Sequence, residues 1–380
     1  MSLKNLTSKL FILCVFIAFS GCIDDFEIRG LSEVADILVV EGTITDGETV
    51  IILSRSVRLH DNSFAPVFID NAEVFVERED GTHFVAIPPE FNGRYIIQMG
   101  DLNIDYRHRL RIQIDGFEYQ SDFLYPIQTP EIDSVFFTKE GLGAPVIIHV
   151  ATHDPNSRIV HYRWSFFEEW EISALWIADT AFPFPTQCWA SARSLGFTVG
   201  SAARTGGQVV QPLTQINPSS QRLSVLYRIT VRQNAISRRA FEYFENIQRN
   251  IELPGSIFSP TPSELRGNIV STTDPRRHVI GFIDVSTVTE KYFFIPQSAD
   301  VHEPLPQNCN IYTADFLEEK FGPHWWDLAI PYQFVLLPFD EERDVEKIFT
   351  YRRCVDCRLM GGLTQRPINW PDSTLIIQRK

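Results

Sequence analysis

Residues 109–114 read RLRIQI and alternate between polar and aliphatic side chains throughout. Successive side chains of a β-strand point to opposite faces, so the aliphatic residues share one face and the arginines and the glutamine share the other. A strand of this kind buries one face and leaves the other in water, as strands of antiparallel sheets commonly do. The stretch therefore predicts an antiparallel sheet packed on a core.

The same period of two recurs on both sides of this stretch, with turn residues between the repeats. The segments that show it are ILVVEGTI, TVIILSRSV, AEVFVERED, RYIIQM and FEYQSDF. They predict an N-terminal β-sandwich over residues 37–126. Pro126 and Pro130 place its boundary, because proline donates no ladder hydrogen bond and pushes its predecessor into an extended conformation.

Residues 127–380 predict a second β-rich domain. Its strand patterns include PVIIHV, RIVHYRWSFFEEWEI, RLSVLYRITVR and HVIGFIDVSTVTEKYFFI. Helical spacing predicts insertions near residues 236–253 and 312–322, the first with Ser237 as N-cap. The stretch 173–221, rich in Pro, Gly, Ser and Gln, is interpreted as a long excursion of turns with at most a short strand. The predicted fold is thus mainly β, with two tandem β-sandwich domains of immunoglobulin-like or transthyretin-like type.

Residues 1–21 have the layout of a secretory signal peptide: Lys4 and Lys9, an apolar core over 10–19, then small residues. That core is too short to cross a hydrocarbon layer of roughly 30 Å. The ending FSGC resembles a bacterial lipobox, in which cleavage precedes a cysteine that then carries acyl chains. Cys22 is therefore the predicted lipidation site, and the alternative is an ordinary signal peptide followed by an unrelated cysteine.

Residues 22–36 form the predicted lipidated tether. Two or more acyl chains on Cys22 would anchor it stably in a membrane. Asp24 and Asp25 resemble the acidic export signal that sends lipoproteins of Bacteroidota to the outer face of the outer membrane. The alternative is an acidic, solvated spacer. We expect an outer-membrane protein that is lipid-anchored and faces the extracellular side.

The net charge of the chain limits the classes of partner it can bind. The formal net charge is −14, and it becomes −16 once Lys4 and Lys9 are removed with the signal peptide. A phosphate backbone would repel such a chain, so we expect no nucleic acid partner. The charge does not identify which partner the chain has.

The cysteines predict covalent cross-links. Of six in the chain, Cys14 lies in the signal peptide and Cys22 is the predicted lipid site. An even remainder outside the cytoplasm favours two disulfides, with three possible pairings. The alternatives to disulfides are a zinc site of four thiolates and a redox C-x-x-C pair. We expect neither a metal nor a cofactor. The disulfide candidates are Cys188, Cys309, Cys354 and Cys357, which predict a disulfide-linked C-terminal tail after Arg353.

No strong catalytic pattern occurs in the sequence. Walker A, G-x-S-x-G, H-E-x-x-H and dinucleotide glycine motifs are all missing from it. The run Glu168-Glu169-Trp170-Glu171 could be a carboxylate site beside a sugar platform, but alternation favours an exposed strand face with one buried tryptophan. Trp325 and Trp326 are possible binding aromatics, with core packing at a helix end as the favoured alternative.

Several segments together are similar to a Bacteroidota lipoprotein family called domain of unknown function 4249. They are ISRRAFEYFENIQRN, GSIFSPTPSELRGNI, HVIGFIDVSTVTEKYFFI, CVDCRLMGG and RPINWP. Cys188 and Cys309 also fit the family's cysteine positions. A weaker resemblance links EGTITDG and NGRYIIQM to transthyretin-like regulatory domains of carboxypeptidases. Family members are usually encoded beside TonB-dependent outer-membrane receptors, and the family supplies no catalytic residues to carry over.

The resemblance implies an accessory lipoprotein that docks on a TonB-dependent receptor, a barrel, for ligand capture or gating. One alternative is a structural or assembly subunit of an outer-membrane complex that binds no small ligand. A third is an extracellular enzyme acting on glycan or peptide, which paired carboxylates in a pocket would support. Without a catalytic motif, we expect no enzyme.

Overall fold

The structure is a computed structural model, and it describes residues 37–56, 66–89, 91–156, 158–179, 183–194, 196–203, 207–252, 267–298, 300–303, 309–325, 334–337 and 347–371. Over these ranges the chain is mainly β, with several antiparallel sheets. The predicted signal peptide, Cys22 and tether lie outside the described residues. In the described part, none of the helices has the length and apolar character needed to cross a membrane.

Both helices and most strands outside residues 173–221 follow the predicted patterns. In the strand that contains RLRIQI, the aliphatic residues are buried and the polar ones are half-buried. The first strands are β1 (Leu38–Gly42), β2 (Gly47–Arg55), β3 (Val67–Phe68), β4 (Glu73–Arg78), β5 (His83–Ile87), β6 (Arg94–Gly100), β7 (His108–Ile114) and β8 (Phe117–Ser121). After them come β9 (Ile132–Thr138), β10 (Val146–His153), β11 (His161–Ser173), β12 (Gln187–Arg193), β13 (Thr198–Ser201), β14 (Gln208–Ile216), β15 (Leu226–Ala235) and α1 (Arg238–Glu252). The rest are β16 (Ile269–Ser271), β17 (Val279–Ile280), β18 (Val288–Pro296), β19 (Tyr312–Thr313), α2 (Ala314–Phe321), β20 (Phe334–Leu336) and β21 (Ile348–Tyr351).

The helices α1 and α2 lie where helical spacing predicts them. Ser237 caps α1, because its side chain accepts the Ala240 N–H at 3.2 Å and its carbonyl accepts the Phe241 N–H at 2.9 Å. Thr313 caps α2 in the same way through the Phe316 N–H, at 3.2 Å.

The first body is one sheet curled around a single core, in the order β16-β8-β7-β4-β5-β6-β2-β1-β17, with β3 on β2. Its end strands, β16 and β17, come from residues 269–280, beyond the predicted boundary at 126. Asn268 holds this segment together, since its side chain donates to the Ile283 carbonyl at 2.7 Å and accepts the Ile283 N–H at 2.9 Å. A domain division at residue 126 stays a prediction, and the structure adds that a later segment pairs with both open edges of the first sheet.

The second body is a two-layer arrangement of β12-β11-β15-β18, with β13 on β11, against β14-β10-β9. Three of these strands, β12, β13 and β14, lie in 173–221, so the interpretation of that stretch as turns with at most a short strand is wrong. Apart from Arg193 their side chains are uncharged, and Ala, Ser, Gly, Gln and Pro stand among the few apolar ones, which leaves little alternation to detect. In the core, Trp164 donates its indole N–H to Gln233 Oε1 at 2.7 Å, and Gln233 donates to the Pro130 carbonyl at 2.8 Å. A third, smaller sheet has the order β19-β21-β20.

Two chain segments run side by side between the bodies. Ile127 forms a parallel bridge with Ser286. The Thr129 N–H donates to Thr287 Oγ1 at 2.8 Å, and the Thr129 hydroxyl donates to the Thr287 carbonyl at 2.5 Å. The predicted boundary prolines therefore flank a connection that is hydrogen-bonded to a second crossing of the chain.

The two ends of the first body lie beside different parts of the chain. β1 begins at Leu38, opposite Arg55 at the end of β2, and β3 pairs with this same end of β2. We call it the tether end, because the chain enters the fold there. Beyond the opposite end of β1, Ile44 bridges Val285 beside the linker to the second body.

Candidate ligand-binding cleft

Strand β11 carries a run of buried glutamates. Glu168, Glu169 and Glu171 are all buried, whereas Trp170 between them is half-buried. The interpretation of this run as an exposed strand face with one buried tryptophan is therefore wrong. β11 lies between β12 and β15, and other parts of the chain cover both of its faces. The glutamate side chains on either face are therefore shielded from water.

Glu168 lies on the face of β11 that packs into the core, in the same alternating series as Trp164 and Trp170. The Tyr227 hydroxyl donates to its Oε1 at 2.7 Å, and Arg222 Nη1 donates to both carboxylate oxygens, at 3.0 and 3.1 Å. Burial, and then the neighbouring carboxylate, raise the pKa of Tyr227. This carboxylate is satisfied by fixed donors, as a structural buried charge must be. A glutamate at a position where the alternation expects an apolar residue was the sequence signal for it.

Glu169 and Glu171 face the other side of the sheet, where Ile368 and Trp370 of the C-terminal tail lie. Arg228 Nε donates to Glu169 Oε2 at 2.8 Å. Trp370, from the tail motif RPINWP, donates its indole N–H to Glu171 Oε2 at 3.1 Å, and Gln187 donates to Glu171 Oε1 at 2.7 Å. The tail therefore seals this face by hydrogen-bonding a carboxylate of the central strand.

Disulfides fix the tail in place. Cys188 of β12 is bonded to Cys357, and Cys309 is bonded to Cys354. The C-terminal tail is therefore disulfide-linked, and the structure selects one of the three possible pairings. Cys188 and Cys357 are both fully buried and pack with Ile172 of β11.

A cleft of about 830 Å³ opens where β11 ends and β12 begins. It is bordered mainly by hydroxyl and amide side chains, with a few apolar ones and the carboxylate of Glu171. Its volume falls in the usual range of small-molecule sites, roughly 300–1,000 Å³. Neutral amides and hydroxyls can both donate and accept, which suits a neutral polar ligand such as a sugar or a peptide backbone. The lining includes Glu171, Ser173, Gln187, Ser219, Gln221, Gln297 and Met360.

His302 also borders this cleft. Its Nδ1 atom is buried, and no hydrogen-bond partner for it occurs among the described residues. Burial lowers the pKa of its imidazole, so the ring is held neutral near pH 7 and can accept as well as donate a hydrogen bond. The sequence contained no pattern that would have singled this histidine out.

The cleft lies at the end of the second body remote from the linker. β11 starts beside the linker, where the Ile236 N–H donates to the His161 carbonyl at 3.0 Å. It ends at Ser173 on the cleft, and its 13 residues correspond to a length of roughly 40 Å.

The other sequence candidates lie away from this cleft. Trp325 is 7% exposed and packs edge-on against Phe349 with ring centroids 4.8 Å apart. Trp326 and Cys22 lie outside the described residues. A ligand-binding role for the two tryptophans and acylation of Cys22 stay predictions. Within the described ranges, no three His, Cys, Asp or Glu side chains are grouped so as to hold a metal ion.

A family model described as "Domain of unknown function (DUF4249)" matches residues 23–292. The match covers more than half of the chain, starts directly after Cys22 and ends within β18. The two C-terminal segments quoted for the resemblance, CVDCRLMGG and RPINWP, fall beyond it. The sequence has no match among curated proteins.

Proposed function

This chain belongs to the DUF4249 family, and we propose that it is a surface-exposed, lipid-anchored protein of the outer membrane. In this proposal it docks on a TonB-dependent receptor and assists ligand capture or gating. The proposal also assigns the two bodies to tandem β-sandwiches of transthyretin-like or immunoglobulin-like type. The observation that carries the proposal is the lipobox-like ending at Cys22, directly before the start of the family match.

The layout of the chain supports this function. A tether of about fourteen residues reaches at most roughly 45 Å, so the first body works close to the membrane. The cleft lies at the far end of the second body, where a ligand arriving from outside would meet it first. Most of the lining is neutral and polar, and its carboxylate, Glu171, already accepts hydrogen bonds from Trp370 and Gln187. A site of this size and lining suits transient capture, because few charged groups must be desolvated.

The buried glutamates support a binding role over an enzymatic one. Each of them accepts hydrogen bonds from fixed donors, Arg222 and Tyr227 for Glu168, Arg228 for Glu169, and Trp370 for Glu171. A general acid or base needs a carboxyl group that can reach a substrate proton. We therefore propose a protein without catalytic activity of its own.

Co-purification tests the proposal. The full chain with a C-terminal affinity tag is isolated from solubilised outer membrane, and the barrel that accompanies it is identified. The matched control carries Cys22→Ala. A barrel with a TonB-dependent plug domain, recovered with the acylated chain, supports the proposal. Recovery of barrel-assembly machinery instead supports a structural or assembly subunit, and hydrolysis of a glycan or peptide by the purified chain supports an enzyme.

A further inference from the structure

The tether end of the first body carries apolar side chains that project into solvent. Phe91 is 91% exposed, Ile87 57% and Val67 53%, and Phe68 is also exposed. Single exposed apolar residues are ordinary on a protein surface, but several at one end mark an interaction site. This end also has a special position, since the chain enters the fold there.

Backbone hydrogen bonds hold these side chains on rigid elements. The Ile69 N–H donates to the Leu53 carbonyl at 3.1 Å, which fixes β3 and its Phe68 against β2. The Leu53 N–H donates to the Gly93 carbonyl at 2.9 Å, and the Gly93 N–H donates to Asp70 Oδ1 at 2.6 Å. The loop that bears Phe91 is therefore joined to the same end of β2.

Cationic side chains lie at the same end. β17 pairs with the start of β1, which places the loop before it, residues 272–278, beside the chain entry. In that loop Arg276 is exposed and pairs with Asp274 at 3.1 Å. Arg277 lies over the ring of Phe117, with its guanidinium carbon 3.6 Å from the ring centroid. Interfacial arginines of this kind can bind lipid phosphate while neighbouring aromatic and aliphatic tips enter the acyl boundary.

We propose that the tether end of the first body inserts Val67, Phe68, Ile87 and Phe91 into the surface of the lipid bilayer. The inference rests on the proposed function, because the anchor at Cys22 brings this end to the membrane. The chain outside the described residues supplies the argument for lipid as the occupant: residues 23–36 join the anchor to Ile37 at this same end, and their reach is at most roughly 45 Å. A stable protein interface would bury about 800 Å² on each partner, and four side chains on a short strand, a strand end and a loop fit that requirement less well than they fit an interfacial lipid layer.

Insertion orients the molecule as well as anchoring it. The second body is joined to the opposite end of the first, and the cleft lies at the far end of the second body. With the tether end in the bilayer surface, the cleft points away from the membrane. The acyl chains alone would limit the distance of the body from the membrane but leave the body free to tilt.

Fluorescence from a label at residue 91 tests the inference. The mature acylated chain carries Phe91→Cys with an environment-sensitive fluorophore and is reconstituted in phosphatidylcholine vesicles. The matched control is Leu142→Cys, because Leu142 is 90% exposed in the turn between β9 and β10 of the second body. We expect a blue-shifted label at residue 91 that is quenched by nitroxide lipids at a depth of about 5–10 Å, and a water-like label at residue 142. Both side chains are exposed, so neither substitution disturbs the core.

An artificial anchor separates this inference from the proposed function. A Cys22→Ser chain with an N-terminal hexahistidine tag is held on vesicles by nickel-chelating lipid and carries the same labels. If the native chain proves to lack acyl chains but residue 91 still inserts under the artificial anchor, the proposed function is refuted and the inference about the membrane-facing end holds. A water-like label at residue 91 under both anchors overturns the inference. So does a label that becomes shielded only after solubilised outer-membrane proteins are added, since the occupant is then a protein.

Discussion

Ile37 and Ser56 exchange hydrogen bonds where the chain enters the fold: the Ile37 N–H donates to Ser56 Oγ at 3.0 Å, and the Ser56 N–H donates to the Ile37 carbonyl at 2.9 Å. This pair fixes the backbone of Ile37 beside the end of β2. The linker to the second body leaves from the opposite end of the same sheet. The tether end of the first body and the cleft therefore lie at opposite extremities of the described residues.

The C-terminal tail has no room for a side chain at Gly362. A Cβ there would lie 2.4 Å from the Cys188 Cβ and 3.2 Å from Ile172 Cδ1. Gly362→Ala should lower the free energy of unfolding by about 1–3 kcal/mol, the usual cost of overpacking. The matched control is Gly196→Ala, where a Cβ meets nothing within 4 Å. Chemical denaturation of both variants measures the difference, and equal midpoints would refute tight docking of the tail.

The disulfides should differ in how much they stabilise the fold. Cys188–Cys357 closes a sequence separation of 169 residues, and Cys309–Cys354 closes one of 45. Replacing either pair with alanine should cost about 2–5 kcal/mol, and the longer loop should cost roughly 1 kcal/mol more, because loop-closure entropy grows with the logarithm of loop length. Denaturant titration of the two double variants checks this. A larger loss from the shorter loop would show that strain or packing, and not chain entropy, dominates.

Asp356 should make stability depend on pH in the acid range. Its carboxylate is buried and accepts hydrogen bonds from Arg358 Nε at 2.9 Å and Nη2 at 2.8 Å. The Arg358 hydrogen bond lowers the pKa of Asp356 below its ordinary value of 3.8. A depressed pKa contributes stability that is fully present above the unfolded value and is lost as the pH falls through the folded value. The melting temperature of Asp356→Asn should therefore fall less steeply below about pH 4 than that of the native chain.

The exposed Asp115, which pairs with Arg55, provides the matched control for this acid titration. Asp115→Asn should follow the native curve closely, because exposed ion pairs contribute little. Parallel curves for the native chain and Asp356→Asn would contradict the assignment of acid sensitivity to Asp356.

The Glu168–Arg222 pair should show strong energetic coupling. A double-mutant cycle with Glu168→Gln and Arg222→Gln should give a coupling energy of about 0.5–3 kcal/mol. We expect a value near the middle of this range, because Arg222 is partly exposed to solvent. The control cycle uses Arg232 and Glu290, a cross-strand pair at 2.8 Å whose side chains are both about half exposed. That cycle should give less than about 1 kcal/mol. Equal couplings would contradict the structural role of the buried carboxylate.

Local patterns in the sequence predicted local structure well. Alternation located the strands around RLRIQI, and helical spacing with Ser237 located α1. Pairing between distant segments was not accessible in this way, because the period of a strand does not say which strand lies beside it. The return of residues 267–285 to the first sheet and the pairing of Cys188 with Cys357 both belong to that class.

The candidate site was less predictable than the fold. Glu168 breaks the apolar series of β11, and that departure was visible in the sequence, but its partners Arg222 and Tyr227 lie on a later segment. The cleft collects Gln and Ser residues from strand ends and loops, and such residues are common in both places. Their shared location depends on the sheet topology and on the tail.

The claim on which the account depends is acylation of Cys22, and the mass of the N-terminal peptide tests it most directly. The protein is extracted from the membrane fraction and digested, and its first peptide is analysed by mass spectrometry, with the Cys22→Ala chain as control. We predict that the first peptide begins at Cys22 and carries acyl chains, and that the Cys22→Ala chain leaves the membrane fraction. An unmodified amino terminus, or a native chain recovered free of membranes, would contradict the account.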